Sequence, residues 1–207
     1  MNPILKPLKM LPVLPLMLFV FGCALMGGGT RETTRFFVLK PLPESETLPI
    51  SSTGSEGLSI GIGPVKLPDS LNRQQMVTRV SENEVRVEPF YRWAAPLAEN
   101  ITSVLGENLS SLLHTNHVTP FPWPLAAQPE FQLRVTVVEF MGTLGGEAKL
   151  AVRWVLTRGK TQAELVNTYA LFKAPVPSHE HSELVATQSR LLADFSREIA
   201  RTLGPFR

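Results

Sequence analysis

The apolar positions of this chain repeat with two different periods, and each change of period marks a change of predicted secondary structure. Residues 58–65 alternate apolar side chains with small ones, including Gly61 and Gly63, which predicts a strand that another segment approaches closely. Residues 76–80 and 85–87 alternate in the same way around a short polar turn, which predicts a hairpin. This part of the chain is therefore predicted to be β-structure.

The apolar period then lengthens to that of a helix. From Leu97 to Leu113 apolar residues recur three or four positions apart, and Pro96 stands near the start, where its missing amide hydrogen costs nothing. A second helix is predicted near the C-terminus, with Ser178 as its N-cap and Gly204 at its end. The buried stripe of this second helix is predicted to contain Val185, Leu192, Phe195, Ile199 and Leu203.

Between the two helices, residues 131–140, 148–156 and 165–172 read as three consecutive strands of an antiparallel meander. The apolar phase of the first strand shifts after Val137, which predicts a β-bulge there. The order is thus strands, helix, strands, helix. It predicts an α/β domain of α+β character, a layered structure with one mixed, largely antiparallel sheet covered by two amphipathic helices.

The N-terminus has the three parts of a secretory signal. Lys6 and Lys9 supply positive charge, residues 10–21 are apolar, and the small Gly22 precedes Cys23, the only cysteine in the chain. The apolar region is shorter than the roughly 20 residues that a membrane-spanning helix needs. Residues 1–22 are therefore predicted to be a cleaved signal peptide.

Residues 20–23, Val-Phe-Gly-Cys, resemble the lipobox of bacterial lipoproteins. The resemblance implies that the signal is cut before Cys23 and that this cysteine carries three acyl chains, which would hold the protein durably on a membrane. The alternative is an ordinary secretory signal that happens to contain a cysteine. In lipoproteins an Asp after the cysteine causes retention in the inner membrane, so Ala24 implies the outer membrane.

The rest of the chain is predicted to consist of a tether and one domain. Residues 23–34 comprise the lipidated cysteine and a small, polar, flexible stretch, and residues 35–207 form a single periplasmic domain. Residues 41–57 are rich in Pro, Ser, Thr, Gly and Glu and are interpreted as disordered.

Charge excludes one class of partner. The chain has 20 basic and 18 acidic residues, and removal of the signal with Lys6 and Lys9 leaves 18 of each. A nucleic-acid-binding domain needs a basic excess on one face. Nucleic acid is therefore not predicted as a partner.

Several motifs in order resemble one family. Residues 67–79, LPDSLNRQQMVTR, resemble the LPxxLxRxxxVTR stretch of the ABC-type transport auxiliary lipoproteins, the PqiC-like family. Further matches are Asn83-Glu84-Val85, Arg92-Trp93-Ala94, Phe121-Pro122-Trp123, and Gly145-Gly146 leading to Trp154. The resemblance covers residues 35–203.

The resemblance implies an outer-membrane lipoprotein of a Gram-negative bacterium, facing the periplasm. Its implied partners are an MCE-domain protein and the ABC permease and ATPase that move lipid between the two membranes, and a ring of identical subunits is possible. The chain has no phosphate-binding loop of its own, and neither an enzyme nor a cofactor is predicted. Docking of the transporter is the leading hypothesis. The alternative is a domain that binds phospholipid acyl chains itself.

Four motif residues are candidate contacts: Arg73, Arg79, Arg92 and Trp93. Arginine binds phosphate and stacks on aromatic rings, so these residues could contact a partner or a phospholipid headgroup. Alternatively they brace the sheet against the first helix, with Trp93 in the core.

Residues 121–125 form an apolar loop stiffened by prolines, and Phe121 and Trp123 are further candidates. Two interpretations stay open. The segment is either an exposed interaction surface or a short edge strand whose prolines prevent further pairing, with Trp123 tucked beneath it.

No metal site or catalytic site is predicted. His179 and His181 lie two residues apart at a predicted helix start, where residues at this spacing point in different directions and do not share a metal ion. Together with Glu183 they are interpreted as a solvated helix start. His114 and His117 have no carboxylate in their segment, and the chain lacks a Gly-x-Ser-x-Gly nucleophile elbow.

Overall fold

The computed structural model describes residues 32–43, 58–124 and 128–206, and the predicted signal peptide and Cys23 lie outside these ranges. The helices are α1 (Leu97–Leu113) and α2 (His181–Leu203), and a short 3-10 turn, Gly204–Phe206, follows α2. The strands are β1 (Arg35–Phe37), β2 (Ile60–Lys66), β3 (Gln75–Arg79), β4 (Val85–Trp93), β5 (Val118–Pro120), β6 (Phe131–Gly142), β7 (Glu147–Arg158) and β8 (Glu164–Pro175).

The strands form two sheets. The larger has the order β5-β2-β6-β7-β8, in which β2 is parallel to both β5 and β6, and β6, β7 and β8 form the predicted antiparallel meander. The smaller has the order β1-β4-β3, with the predicted hairpin β3-β4 and the parallel strand β1. The mixed α+β class is confirmed, but the sequence predicted one sheet where the structure has two. Alternation identifies a strand and its buried face, whereas the tertiary arrangement decides its hydrogen-bonding neighbour.

The two helices pack against each other and against one face of the five-stranded sheet. Both predicted apolar stripes point into this layer, and the whole predicted stripe of α2 is buried. Trp154 of β7 and Phe195 of α2 lie at its centre, with ring centroids 6.1 Å apart in an edge-to-face arrangement. The main core is therefore the space between the helices and the meander.

Asn108 ties three elements together inside this core. Its side-chain oxygen accepts a hydrogen bond from the backbone N–H of Leu42 at 2.7 Å, and its amide nitrogen donates to Ser196 Oγ of α2 at 3.0 Å. Leu42 is consequently buried against the helices. The stretch predicted to be disordered from residue 41 thus begins with a packed segment, and residues 44–57 lie outside the described ranges.

The predicted bulge in β6 is confirmed. The pairing of β6 with β7 shifts register between Val137 and Glu139, which leaves Val138 without a Cα partner and half exposed. The shift changes which side chains of β6 face the helices, so that Phe140 rejoins the core while Glu139 points to the opposite face of the sheet.

The predicted start of α2 is wrong by a few residues. The helix begins at His181, with Glu180 at the N-cap and no side-chain cap, rather than at Ser178. Ser178 lies in the preceding loop because its carbonyl accepts a hydrogen bond from Gly145 N–H at 2.7 Å and its Oγ accepts one from Glu180 N–H at 3.2 Å. The end after Leu203 is as predicted.

Candidate functional site

The loop after β5 presents an aromatic pair on a rigid support. β5 lies parallel to β2, and Phe121 N–H extends the pairing by donating to Ile62 O at 2.8 Å. Trp123 is half buried, and its ring meets Phe121 edge-on with centroids 5.2 Å apart. Phe121 remains 51% exposed. The short edge strand thus ends at Pro120, just before the segment for which a strand was the alternative, and Trp123 is tucked against the sheet while Phe121 projects outward.

The two glycines of β2 make room for this loop. A Cβ on Gly61 would lie 2.5 Å from Pro129 Cγ and 2.7 Å from Trp123 Cζ3, and a Cβ on Gly63 would lie 3.0 Å from Phe121 Cβ. Gly63 also has φ of +114°, which disfavours any other residue. The close approach predicted from the glycine pattern is therefore confirmed.

We expect Gly61→Ala to lower the free energy of unfolding by about 1–3 kcal/mol, because the added methyl group overpacks the contact with Trp123 and Pro129. Gly106→Ala is the matched control. Gly106 lies inside α1 with nothing closer than 3.9 Å to an added Cβ, so alanine there should stabilise by about 0.5–1 kcal/mol. Urea unfolding measures both, and a Gly61→Ala protein as stable as the unsubstituted protein would contradict this packing.

Arg79 joins the two sheets. Its Nη2 lies 2.8 Å from Glu139 Oε1, next to the bulge of β6, and its Nη1 donates to the carbonyls of Ser81 and Glu82 in the β3-β4 turn. Both partners of the ion pair are about one quarter exposed. The bracing predicted for this arginine exists, but it connects one sheet to the other rather than the sheet to the first helix.

The remaining motif residues are spread over the smaller sheet. Trp93 is buried in the core, and Arg92 beside it has a buried Nε without a hydrogen-bond partner among the described residues. Arg73 is exposed in the turn that precedes β3. The structure thus brings Phe121 and Trp123 together, but it does not gather the three arginines into one site.

A buried polar cluster lies at the start of α2, and the sequence did not predict it. His181 is only 8% exposed and stacks on Tyr91 with a centroid distance of 3.5 Å, and its Nε2 lies 3.5 Å from Glu88 Oε1. Thr78 Oγ1 donates to the same oxygen at 2.7 Å. The predicted solvated helix start is therefore wrong for His181, because the smaller sheet covers it, and no local pattern around His181 signals a partner so distant in sequence.

The other histidines lie apart from this cluster. His179 is exposed over Gly145, and His114 ends α1 in a left-handed conformation with φ of 52°. Within the described ranges, no group of three or more His, Cys, Asp or Glu side chains is arranged to hold a metal ion. In the same ranges, no helix combines the length and the apolar character needed to cross a bilayer.

An apolar cleft of about 810 Å³ runs between residues 36–43 and one side of α2. Phe36 and Val38 line it from one side, and Val185, Ala186 and Ala193 line it from the other. Phe36 is 64% exposed and Val38 is 50% exposed, so the cleft is open to solvent.

Known proteins resemble this chain over most of its length. Residues 37–200 match the family described as the ABC-type transport auxiliary lipoprotein component. The chain is similar to the intermembrane transport lipoprotein PqiC of Escherichia coli (strain K12), with 24% identity over 183 residues that cover 86% of this chain and 91% of that protein. The PqiC protein of Shigella flexneri matches to the same extent.

Two solved structures share the fold. A crystal structure of an uncharacterized protein matches with a TM-score of 0.68 and 22% identity, covering 84% of this chain and 100% of that one. A crystal structure of a protein from Xanthomonas campestris matches with a TM-score of 0.65 and 12% identity, covering 81% of this chain and 93% of that one.

Proposed function

Since this chain belongs to the ABC-type transport auxiliary lipoprotein family, we propose that it is a lipid-anchored periplasmic accessory component that docks an MCE-type transporter at the outer membrane. The observation that carries the proposal is the family match, which spans residues 37–200 and so takes in nearly every described element of the domain. The lipobox-like sequence at Cys23 stands just before the matched region. An anchor followed by a transport-associated domain is the arrangement that a docking component needs.

The polar cluster at the start of α2 is enclosed, as an accessory role allows. Thr78, Glu88 and His181 form this polar cluster, and all three are buried. Tyr91 stacks directly on His181. A substrate could reach these groups only if the contact between α2 and the smaller sheet opened.

Phe121 is the proposed contact for the transporter. An exposed aromatic side chain on a supported loop contributes contact area at low entropic cost, and aromatic residues are enriched at protein interfaces. The backbone hydrogen bond to Ile62 and the packing of Trp123 on Gly61 hold the loop in place. We propose that the MCE-domain protein binds here.

A photo-crosslinking amino acid at position 121 is expected to capture an MCE-domain protein in cells that contain the native transporter. Val85 is the matched control, since it is similarly exposed but lies in the β3-β4 hairpin of the other sheet. Gentle solubilisation followed by mass spectrometry identifies the captured protein. Equal capture from position 85 would argue against this loop as the interface, and recovery of no MCE protein from either position would argue against docking altogether.

The apolar cleft beside α2 favours a second candidate function, in which the domain itself takes up acyl chains. Its volume of about 810 Å³ falls within the range of small-molecule sites, and its walls are mainly apolar. If this function holds, native mass spectrometry of the purified protein should show co-purified phospholipid. Ala186→Glu, which places a charge in the cleft at an exposed position of α2, should then abolish the lipid-bound species, whereas protein that carries no lipid would leave docking as the function.

We also propose the finer location and assembly implied by the family, namely the periplasmic face of the outer membrane and a ring of subunits. β8 forms one edge of the larger sheet and is 12 residues long, so it offers backbone groups for pairing with a second copy.

A further inference from the structure

A second concavity lies on the face of the five-stranded sheet that points away from the helices. It has a volume of about 680 Å³ and lies between the 121–124 loop and the first half of β8. Lys66 of β2, Arg134 of β6 and Arg153 of β7 line it, together with Trp123 and Asn167. We call it the basic trough.

The charge of the basic trough is unbalanced. None of the described residues that line it is acidic, and within the described part of the chain Lys66, Arg134 and Arg153 take part in no ion pair. Other cations of the same sheet are paired with carboxylates: Arg158 with Glu130 at 3.6 Å, and Lys149 and Lys173 with Glu147. The trough thus concentrates three positive charges that no carboxylate of the described residues pairs with, although the domain as a whole is nearly neutral.

The strand register places these cations within reach of one small anion. Lys66 pairs with Thr136, Thr136 pairs with Arg153, and Arg153 pairs with Tyr169, so these residues form one row across four strands. Neighbouring strands lie about 4.8 Å apart, which separates the backbones of Lys66 and Arg153 by about 10 Å. Arg134 lies two residues from Thr136, about 7 Å along β6. Side chains as long as lysine and arginine can converge on a single phosphate from these positions.

One of the cations is positioned by an aromatic ring. The guanidinium of Arg153 lies over the ring of Tyr169, 5.7 Å from its centroid. Such a contact orients the planar group while leaving its N–H donors free to bind a phosphate. The amide of Asn167 lines the same space and adds further hydrogen-bonding capacity.

Apolar side chains continue the face beyond the cations. Leu171 is two residues from Tyr169 on β8, and it is half exposed, as is Val138 at the bulge of β6. On the other side, the half-buried ring of Trp123 closes the trough. A basic hollow flanked by exposed apolar groups complements an amphiphile with an anionic head.

We propose that the basic trough binds the headgroup of an anionic phospholipid, with the phosphodiester between Lys66, Arg134 and Arg153 and the first carbons of the lipid along Leu171 and Val138. The proposal concerns a ligand of the domain itself. Phe121 also lines the trough, but the three cations rather than this ring make the proposed contact with the phosphodiester, so the proposal stands whether or not the transporter docks at Phe121. Loss of docking in the crosslinking experiment would leave it unaffected.

The test titrates the purified full-length lipoprotein, held in a non-ionic detergent, with short-chain lipids. Dihexanoylphosphatidylglycerol supplies the anionic head, dihexanoylphosphatidylcholine supplies the zwitterionic head, and inorganic phosphate supplies the anion alone. Trp123 reports binding through its emission, because Trp93 and Trp154 are buried and provide a constant background. We expect the anionic lipid to bind at least about tenfold more tightly than the zwitterionic one, the change expected from about 1.4 kcal/mol of charge-assisted contact.

Two double variants that each remove two positive charges distinguish binding in the trough from a general effect of charge. Arg134→Gln with Arg153→Gln should weaken binding of the anionic lipid by at least about tenfold. Arg86→Gln with Arg201→Gln removes two exposed cations that line neither the trough nor the apolar cleft beside α2, and it should leave the affinity unchanged. Retained thermal stability of the first double variant shows that the fold is intact.

Four outcomes would overturn the proposal. If the two lipids bind with equal affinity, headgroup charge does not determine binding. If the two double variants lose equal amounts of lipid affinity, the trough is not the binding site. Inorganic phosphate that binds as tightly as the anionic lipid makes the trough an anion site rather than a lipid site. A trough variant that keeps its lipid affinity but no longer captures the MCE-domain protein assigns the trough to a protein contact.

Discussion

Replacement of Cys23 by alanine is expected to move the protein almost completely from the membrane fraction to the soluble periplasmic fraction. The expectation rests on the lipobox-like residues 20–23 and on the absence of another cysteine that could carry lipid. Each buried methylene contributes about 0.8 kcal/mol to membrane binding, and one acyl chain alone binds only marginally and reversibly. Loss of all chains at once therefore removes an attachment that no described helix could replace by crossing the bilayer.

Cell fractionation and immunoblotting measure this effect, and Ala24→Asp is the informative control. That variant keeps the thiol, so it should remain membrane-bound, but the sorting rule for lipoproteins predicts its retention in the inner membrane. Density-gradient separation of the two membranes distinguishes the cases. A Cys23→Ala protein that still sediments with the outer membrane would show that something other than lipid on this residue holds the chain there.

Replacement of Trp154 by alanine is expected to lower the free energy of unfolding by about 3–5 kcal/mol, the range for large aromatic truncations in a core. Trp154 is 1% exposed and packs edge-on against Phe195, so its removal leaves a cavity between the meander and α2. A loss of this size is a large fraction of the total stability of a domain of this length.

Trp154→Phe separates packing from polarity at the same position. The indole N–H of Trp154 is buried and has no hydrogen-bond partner among the described residues, a state that costs about 1–3 kcal/mol. Phenylalanine keeps an aromatic ring against Phe195 and removes this N–H, so its destabilisation should be clearly smaller than that of alanine. Urea unfolding followed by circular dichroism measures both, and equal losses in the two variants would contradict the cavity explanation.

Much of the fold could be predicted because its signals are local. The apolar stripe from Leu97 to Leu113 and the one that ends at Leu203 both belong to helices in the structure, and both stripes are buried. The shift of the apolar phase after Val137 corresponds to a bulge in the structure, because one extra residue in a strand moves every later side chain to the opposite face of the sheet. Gly61 signalled the approach of another segment, and Trp123 and Pro129 proved to be the residues that approach.

Less of the candidate site could be predicted, because its contacts join residues far apart in the chain. Arg79 was singled out by its motif, but its partner Glu139 belongs to another sheet. His181 has a polar sequence environment typical of an exposed helix start, yet Tyr91 and Glu88 of β4 enclose it. Ser178 has the chemistry of an N-cap, and a hydrogen bond from Gly145 holds it in the loop instead.

The amino-acid sequence by itself determined both helices, the β3-β4 hairpin, the meander, the faces they bury and the family to which the chain belongs, since side-chain periodicity and short motifs are properties of neighbouring residues. Only the tertiary structure decided that the strands divide into two sheets, that Arg79 links them, and that Lys66, Arg134 and Arg153 line one basic trough. The physical reason is that strand pairing and register bring together residues from distant segments, and no local pattern encodes which strands will become neighbours.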